Sequence, residues 1–330
     1  MKHKSYLDNI IRTTPVHTVA SDLGHRLHAG ERAIEFPAEQ FGDFVRSLAQ
    51  SDFISYPDES KLIRIIANKH RVSEDNVLLF AGADAAIKCS VDTLCDIGST
   101  VAAPMLHFPM YDVYIAQNGG KFVPLHNIEK NDELRMIIVG NPNSPEGNSY
   151  SEDYFGQLER FNVPIIVDSV YEAFGSTKLD VLDKIQRDYI FVYSFSKSYG
   201  AAGCRVGYAI SNYTMITKLH KMRPMYGVNS VGLKFAEWLL VNQDLSDEYV
   251  STCVSIRNKM NEWFPYNIGG NWVHVPELID SISVVDELEK FGFSFKRGCT
   301  LPGVDGLLIR ATASQNFLDL IETIVAHTSR

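Results

Sequence analysis

Between residues 77 and 210 short apolar runs alternate with longer stretches whose apolar residues recur at helical spacing. The runs cover residues 77–80, 100–103, 136–139, 164–167 and 190–193. Each is apolar on both faces, as a strand buried in a parallel sheet must be. The pattern therefore predicts an α/β fold, a mainly parallel sheet between two layers of helices. Ligands of such sheets collect at the carboxyl ends of the strands. From about Leu233 the pattern turns helical, and a smaller strand and helix region runs from Asn271 to the end. This predicts a large domain over 40–240 and a small domain made of 241–330 together with the N-terminal arm, 1–39.

Composition narrows the class. A chain of 330 residues, 45% hydrophobic and 22% charged, is ordinary for a globular protein of two lobes. Its net charge of -9 offers no basic surface to nucleic acid or an anionic membrane, so neither is expected as a partner. No apolar run approaches membrane-spanning length, and the opening residues 1–8 are too polar for a signal peptide. Cys89, Cys95, Cys204, Cys253 and Cys299 form an odd set without a C-x-x-C pair. Such a set reads as small buried hydrophobes in a reducing cytoplasm, with no disulfide framework and no metal site.

The strand exits carry the chemistry. After 190–193 comes Ser194-Phe195-Ser196-Lys197-Ser198-Tyr199-Gly200, with Arg205 eight positions beyond the lysine. Two hydroxyls, a glycine-rich turn and an arginine around one amine make a plausible phosphate cradle, although a lone lysine after a strand is usually a solvated one. Asp168 ends another buried run, where a carboxylate is costly unless a cation faces it; a helix N-cap is the competing reading. Gly82-Ala83-Asp84 joins a strand to a helix, whose free N–H groups receive anions, though plain strand-to-helix turns look the same. Gly140-Asn141-Pro142-Asn143-Ser144-Pro145-Glu146-Gly147 is a shaped loop at a further exit. A lysine for an aldehyde, an acid for a pyridine nitrogen and donors for a phosphate are what pyridoxal phosphate chemistry requires.

In that order and spacing, and together with Tyr56-Pro57-Asp58, Asp168-x-x-Tyr171 and Arg310 in Leu308-Ile309-Arg310-Ala311-Thr312, these residues resemble the fold-type I pyridoxal-phosphate aminotransferases, in the histidinol-phosphate aminotransferase-like branch. The resemblance spans nearly the whole chain. It implies a seven-stranded sheet in the large domain and an enzyme that uses pyridoxal 5'-phosphate as a Schiff base on Lys197. It further implies that Asp168 faces the pyridine nitrogen and Tyr171 the phenolic oxygen. Ala83, Asp84, Ser194, Ser196 and Arg205 would hold the phosphate, with Tyr56 reaching it from the second subunit of a homodimer. Phe108 falls where the family stacks an aromatic ring on the cofactor.

Arg310 matches the arginine that grips the substrate carboxylate, a structural salt bridge being the alternative. The chain has Ser144 where the family often has asparagine, which leaves Asn143 or Asn141 to contact the phenolic oxygen. Leu27-His28-Ala29-Gly30-Glu31-Arg32 replaces an Asn-rich segment of the histidine-pathway members. Arg32 is there a candidate anion site for a phosphorylated substrate, or a surface arginine paired with Glu31 or a nearby acid. The implied reaction passes an amino group from a small-molecule donor to a 2-oxo acid. Decarboxylation of a phosphorylated amino acid on the same scaffold, and a non-catalytic protein of this fold, are the alternatives.

Overall fold

The computed structural model describes residues 10–11, 23–128 and 134–328; the polar opening of the chain and most of the N-terminal arm lie outside them. A central sheet holds seven strands in the order β1-β7-β6-β5-β4-β2-β3. They are β1 (Val77–Phe80), β2 (Thr100–Ala103), β3 (Lys121–Pro124), β4 (Leu134–Gly140), β5 (Ile165–Asp168), β6 (Tyr189–Ser194) and β7 (Gly207–Ile210). β3, β2, β4, β5 and β6 run parallel, and β7 is antiparallel to both its neighbours, β6 and β1.

All five apolar runs are strands. β3 and β7 were not legible as runs, for different reasons. β3 is an edge strand and keeps polar exposure, whereas β7 is fully buried but only four residues long and contains a glycine and an alanine.

Alternate residues of these strands feed two apolar layers. Leu79, Ile137, Val167 and Phe191 face one layer, and Leu78, Ile138, Ile166 and Val192 face the other. Helices Ser60–His70 and Ser230–Val241 cover the first layer, and helices Ala83–Leu94, Met110–Gln117 and Tyr213–Met222 the second. Truncating a fully buried strand residue such as Ile166 to alanine costs about 2–5 kcal/mol, because the surrounding side chains relax only partly.

The register then lines up the strand exits. Phe80 and Ser194 both pair with Gly207, and Asp168 pairs with Gly140 and Val192. The residues that follow β1, β4, β5 and β6, and those that precede β7, therefore emerge along one edge of the sheet.

A smaller antiparallel sheet in the order β11-β12-β8 is built from β8 (Trp272–Pro276), β11 (Lys296–Cys299) and β12 (Leu308–Thr312). The two short strands β9 (Leu278–Ile279) and β10 (Ile282–Ser283) form a separate hairpin. Helices Gln243–Met260 and Gln315–Thr328 pack on the small sheet through Cys253, Ile256, Phe317 and Ile321. Leu27 lies in this same core. Its amide donates to the Ser294 carbonyl at 2.8 Å and its carbonyl accepts from the Thr312 amide at 2.8 Å. The small sheet thereby anchors the chain just before residues 28–32, which pass over the edge of the large sheet.

Candidate active site

Lys197 stands three residues beyond the end of β6. The Gly200 amide donates to the Lys197 carbonyl and the Ala201 amide to that of Phe195, folding 195–201 into a tight turn. The lysine Nζ donates to the carbonyls of Ala29 at 2.6 Å and Gly30 at 3.4 Å, and lies 5.8 Å from the centre of the Tyr171 ring. The N-terminal segment thus forms one wall around this amine.

Next to the lysine, Ser194, Ser196 and Arg205 form a hydrogen-bonded cluster. The Ser196 amide donates to Ser194 Oγ at 3.0 Å, and the Arg205 guanidinium to Ser196 Oγ at 3.3 Å and the Ala81 carbonyl at 3.4 Å. Arg205 approaches the turn so closely that a Cβ on Gly82 would lie 2.5 Å from its Nη2, and Gly82 has φ +88°. Glycine is therefore required there. Helix Ala83–Leu94 begins immediately after, and its first N–H groups have no partner within the helix. The Asp84 carboxylate itself is turned to the Tyr114 hydroxyl, so Asp84 offers the cluster its backbone.

Asp168 ends β5, partly open to the site. Its Oδ2 accepts a 2.6 Å hydrogen bond from the Tyr111 hydroxyl, and its Oδ1 one of 3.2 Å from the Val170 amide. The Val170 bond holds a turn, but Asp168 caps no helix: the 3-10 helix that follows, Glu172–Phe174, has Tyr171 at its N-cap. Burial pushes the Asp168 carboxyl above the usual range, against the pull of Tyr111, the Val170 amide and Lys197. Tyr171 packs edge-on against Trp272, ring centres 4.6 Å apart. Phe108 stands edge-on to Tyr111 at 5.7 Å.

The small sheet contributes a polar row from three strands. Lys296 of β11 pairs with Arg310 of β12, which pairs with His274 of β8. Burial, and then Arg310, lower the pKa of Lys296. The Arg310 guanidinium lies 5.0 Å over the Trp272 ring and 3.5 Å from Ser144 Oγ.

Two expectations are corrected by this geometry. Asn143 does not turn its amide to the site: its Nδ2 donates to the Leu106 carbonyl and to Glu146, both at 2.8 Å. Asn141 is equally committed, exchanging hydrogen bonds with the backbone of Tyr150. Ser144 is the residue of this loop beside Arg310. Arg32 is buried rather than poised for a ligand. Its guanidinium donates to the carbonyls of Ile34 and Leu245 and sits between the rings of Phe36 and Tyr249. Tyr56 lies outside the cluster, 78% exposed and stacked on Tyr226 at 4.2 Å.

Sequence reasoning missed Tyr111, Trp272, Asn271 and the carbonyls of Ala29 and Gly30. For Tyr111 a signal was present. It lies in the first turn of helix Met110–Gln117, three residues after Phe108. No local pattern marks the others, which come from the small lobe and the N-terminal segment.

Against known proteins, the model of the family "Aminotransferase class I and II" matches residues 44–264. The chain belongs to this aminotransferase family. It is a pyridoxal-phosphate-dependent enzyme of the fold-type I, histidinol-phosphate aminotransferase-like branch. The histidinol-phosphate aminotransferase of Clostridium novyi is 28% identical to this aminotransferase over 251 residues, 71% of this chain and 70% of the relative. In fold, the aminotransferase is similar to histidinol-phosphate aminotransferase from Sinorhizobium meliloti in complex with pyridoxal-5'-phosphate. That pair has a TM-score of 0.81 and 19% identity, covering 97% of this chain and 95% of the other. The fold is also similar to L-threonine-O-3-phosphate decarboxylase from Porphyromonas gingivalis, with a TM-score of 0.70 and 19% identity over 87% of this chain and 98% of the other. Among the described residues of the aminotransferase no helix is long and apolar enough to cross a membrane.

Proposed function

We propose that the enzyme transfers the amino group of a small carboxylate- or phosphate-bearing amine to a 2-oxo acid, with Lys197 as both the anchor of the cofactor and the proton carrier. The convergence of Lys197, Asp168 and Arg205 at adjacent strand exits carries this reading. The residues fit pyridoxal phosphate: Arg205, Ser194, Ser196 and the backbone at Ala83 and Asp84 suit its phosphate, and Asp168 suits a protonated ring nitrogen. Tyr171 suits its phenolic oxygen and Phe108 its face. When bound, the cofactor supplies an aldehyde for amines and a ring that accepts an electron pair.

Each residue then has a task. Asp168, held in place by Tyr111 and the Val170 amide, keeps a proton on the ring nitrogen. Lys197 would hold the cofactor's aldehyde and, beside the substrate α-carbon, would take up and return a proton. Arg310 receives the substrate carboxylate through two N–H groups. Lys296, next to it on the small sheet, suits a second negative group. This agrees with relatives named for a phosphorylated substrate.

We further assign residues 40–240 to the large domain, with 241–330 and the N-terminal arm as the small one. The working unit is a homodimer in the cytoplasm. Phe53, Ile54, Tyr56, Met225 and Tyr226 expose apolar surface near the Tyr56 stack, which supports a subunit interface. The five cysteines are free thiols, which supports a reducing compartment.

The test is a screen of amino donors against the holoenzyme, reading conversion of the bound cofactor to its amine form by absorbance. Conversion that is reversed by a 2-oxo acid supports transamination. Release of carbon dioxide with no need for a 2-oxo acid shows decarboxylation instead.

A further inference from the structure

Asn271, just before β8, is fully buried. Its side-chain nitrogen donates to the Gly30 carbonyl at 3.0 Å and to the Tyr249 hydroxyl oxygen at 3.4 Å. The bond to Gly30 fixes which way the amide points, because a flipped amide would set oxygen against oxygen. Its side-chain oxygen has no partner. A buried acceptor without a donor is unfavourable, so a group that brings an N–H or O–H to it is bound selectively.

The surroundings say where that group arrives. Gly30 has φ +66°, and a Cβ built on it would lie 3.0 Å from Lys197 Nζ, 3.2 Å from Asn271 Oδ1 and 3.6 Å from the Tyr171 hydroxyl. The three polar atoms therefore converge on the Gly30 Cα, so closely that a side chain on residue 30 would crowd them. Lys197 already has acceptors in the Ala29 and Gly30 carbonyls. Asn271 Oδ1 is left for a donor on the ligand.

We propose that Asn271 is a substrate-binding residue, whose side-chain oxygen accepts a hydrogen bond from the amino group of the incoming donor and orients it beside Lys197. Its side-chain nitrogen meanwhile pins the Gly30 wall of the site. The assignment rests on the reading of Lys197 as the amine-handling lysine.

The test uses holoenzyme reduced with borohydride, which fixes the cofactor on Lys197 and stops turnover. Binding of each proteinogenic amino acid and of its deaminated analogue is measured by calorimetry and by quenching of tryptophan fluorescence, Trp272 being next to Asn271. For the amino acids that bind, the wild type is expected to prefer the amine by about tenfold or more. Asn271→Leu is expected to lose that preference while binding the deaminated analogue within about twofold of the wild type.

Equal weakening of both ligands would mean that Asn271 only supports the wall, and no preference in the wild type would remove the assignment outright. Should Asn271→Leu not fold, Gly30→Ala crowds the same three atoms and is expected to show the same selective loss; equal loss overturns the proposal. If reduction fixes no cofactor on Lys197, the reading of that lysine fails and takes this proposal with it. Capture on Lys197 without amine preference sinks this proposal alone.

Discussion

The Tyr111 hydroxyl donates a 2.6 Å hydrogen bond to Asp168, joining the first turn of a helix after β2 to the end of β5. Tyr111 is fully buried, and burial together with Asp168 raises its pKa well above the ordinary value, so it acts as a donor at any working pH. Removing the hydroxyl leaves one carboxylate oxygen without its donor and lets burial push the Asp168 carboxyl higher. Tyr111→Phe is expected to fold normally and to lower kcat about 10- to 100-fold, as for loss of a hydrogen bond to a charged group. The pH dependence of the bound cofactor's absorbance should shift as well. Unchanged kcat and an unchanged spectral titration would show that the bond is dispensable.

Gly82 offers a test of the cradle that leaves every charged group in place. Gly82→Ala puts a methyl group against the Arg205 guanidinium in a backbone conformation that L-residues avoid. Cofactor affinity should fall about tenfold or more, read by equilibrium dialysis, while helix Ala83–Leu94 is kept. Arg205→Lys should also weaken the cofactor, because a point charge does not reproduce the fork.

Two buried histidines make the protein acid-sensitive. Burial holds His70 down to about 4, with Lys178 and Lys69 adding to the effect, and holds His274 down to about 3, with Arg310 adding. Both are neutral in the folded chain and bind protons near the ordinary value when unfolded. Their depressed pKa values therefore cost no stability above pH ~6.5, and stability is lost as the pH falls from there toward the folded values, by about 2 kcal/mol each at pH 5. Replacing His274, whose two ring nitrogens are buried without partners, by Phe should flatten part of this acid limb in urea titrations at pH 5 and pH 7. An acid limb as steep as the wild type's would exclude His274 as its source.

Tyr56 is expected to act across a subunit boundary. Tyr56→Ala should weaken cofactor binding without altering the thermal unfolding of one chain, and sedimentation should give twice the chain mass for the wild type. A monomer that binds the cofactor as tightly as the wild type would contradict this.

The parts of the fold and site that were legible in the sequence are local ones. Strands buried on both faces announce themselves as apolar runs, and Asp168 and Lys197 were found because each adjoins or closely follows one, Arg205 because it comes after the glycine-rich turn beyond Lys197. The loop after β4 was legible as a loop but not in detail. Which of Asn141, Asn143 and Ser144 faces the site depends on contacts to Leu106 and Tyr150, which no spacing reveals. Arg32 read as an anion site or as the partner of Glu31 or a nearby acid, whereas its partners Leu245 and Tyr249 lie over 200 residues away. Asn271 and the Ala29 and Gly30 carbonyls were invisible for the same reason. They reach Lys197 only after the small sheet has captured the N-terminal segment through Leu27.

Lys197 is expected to carry the cofactor. The most direct measurement is borohydride reduction of the cofactor-loaded protein, followed by proteolysis and mass spectrometry of the labelled peptide. One label on Lys197, and loss of both label and visible absorbance in Lys197→Ala, is the result expected. A label on another lysine, or an unaltered spectrum in Lys197→Ala, would contradict it.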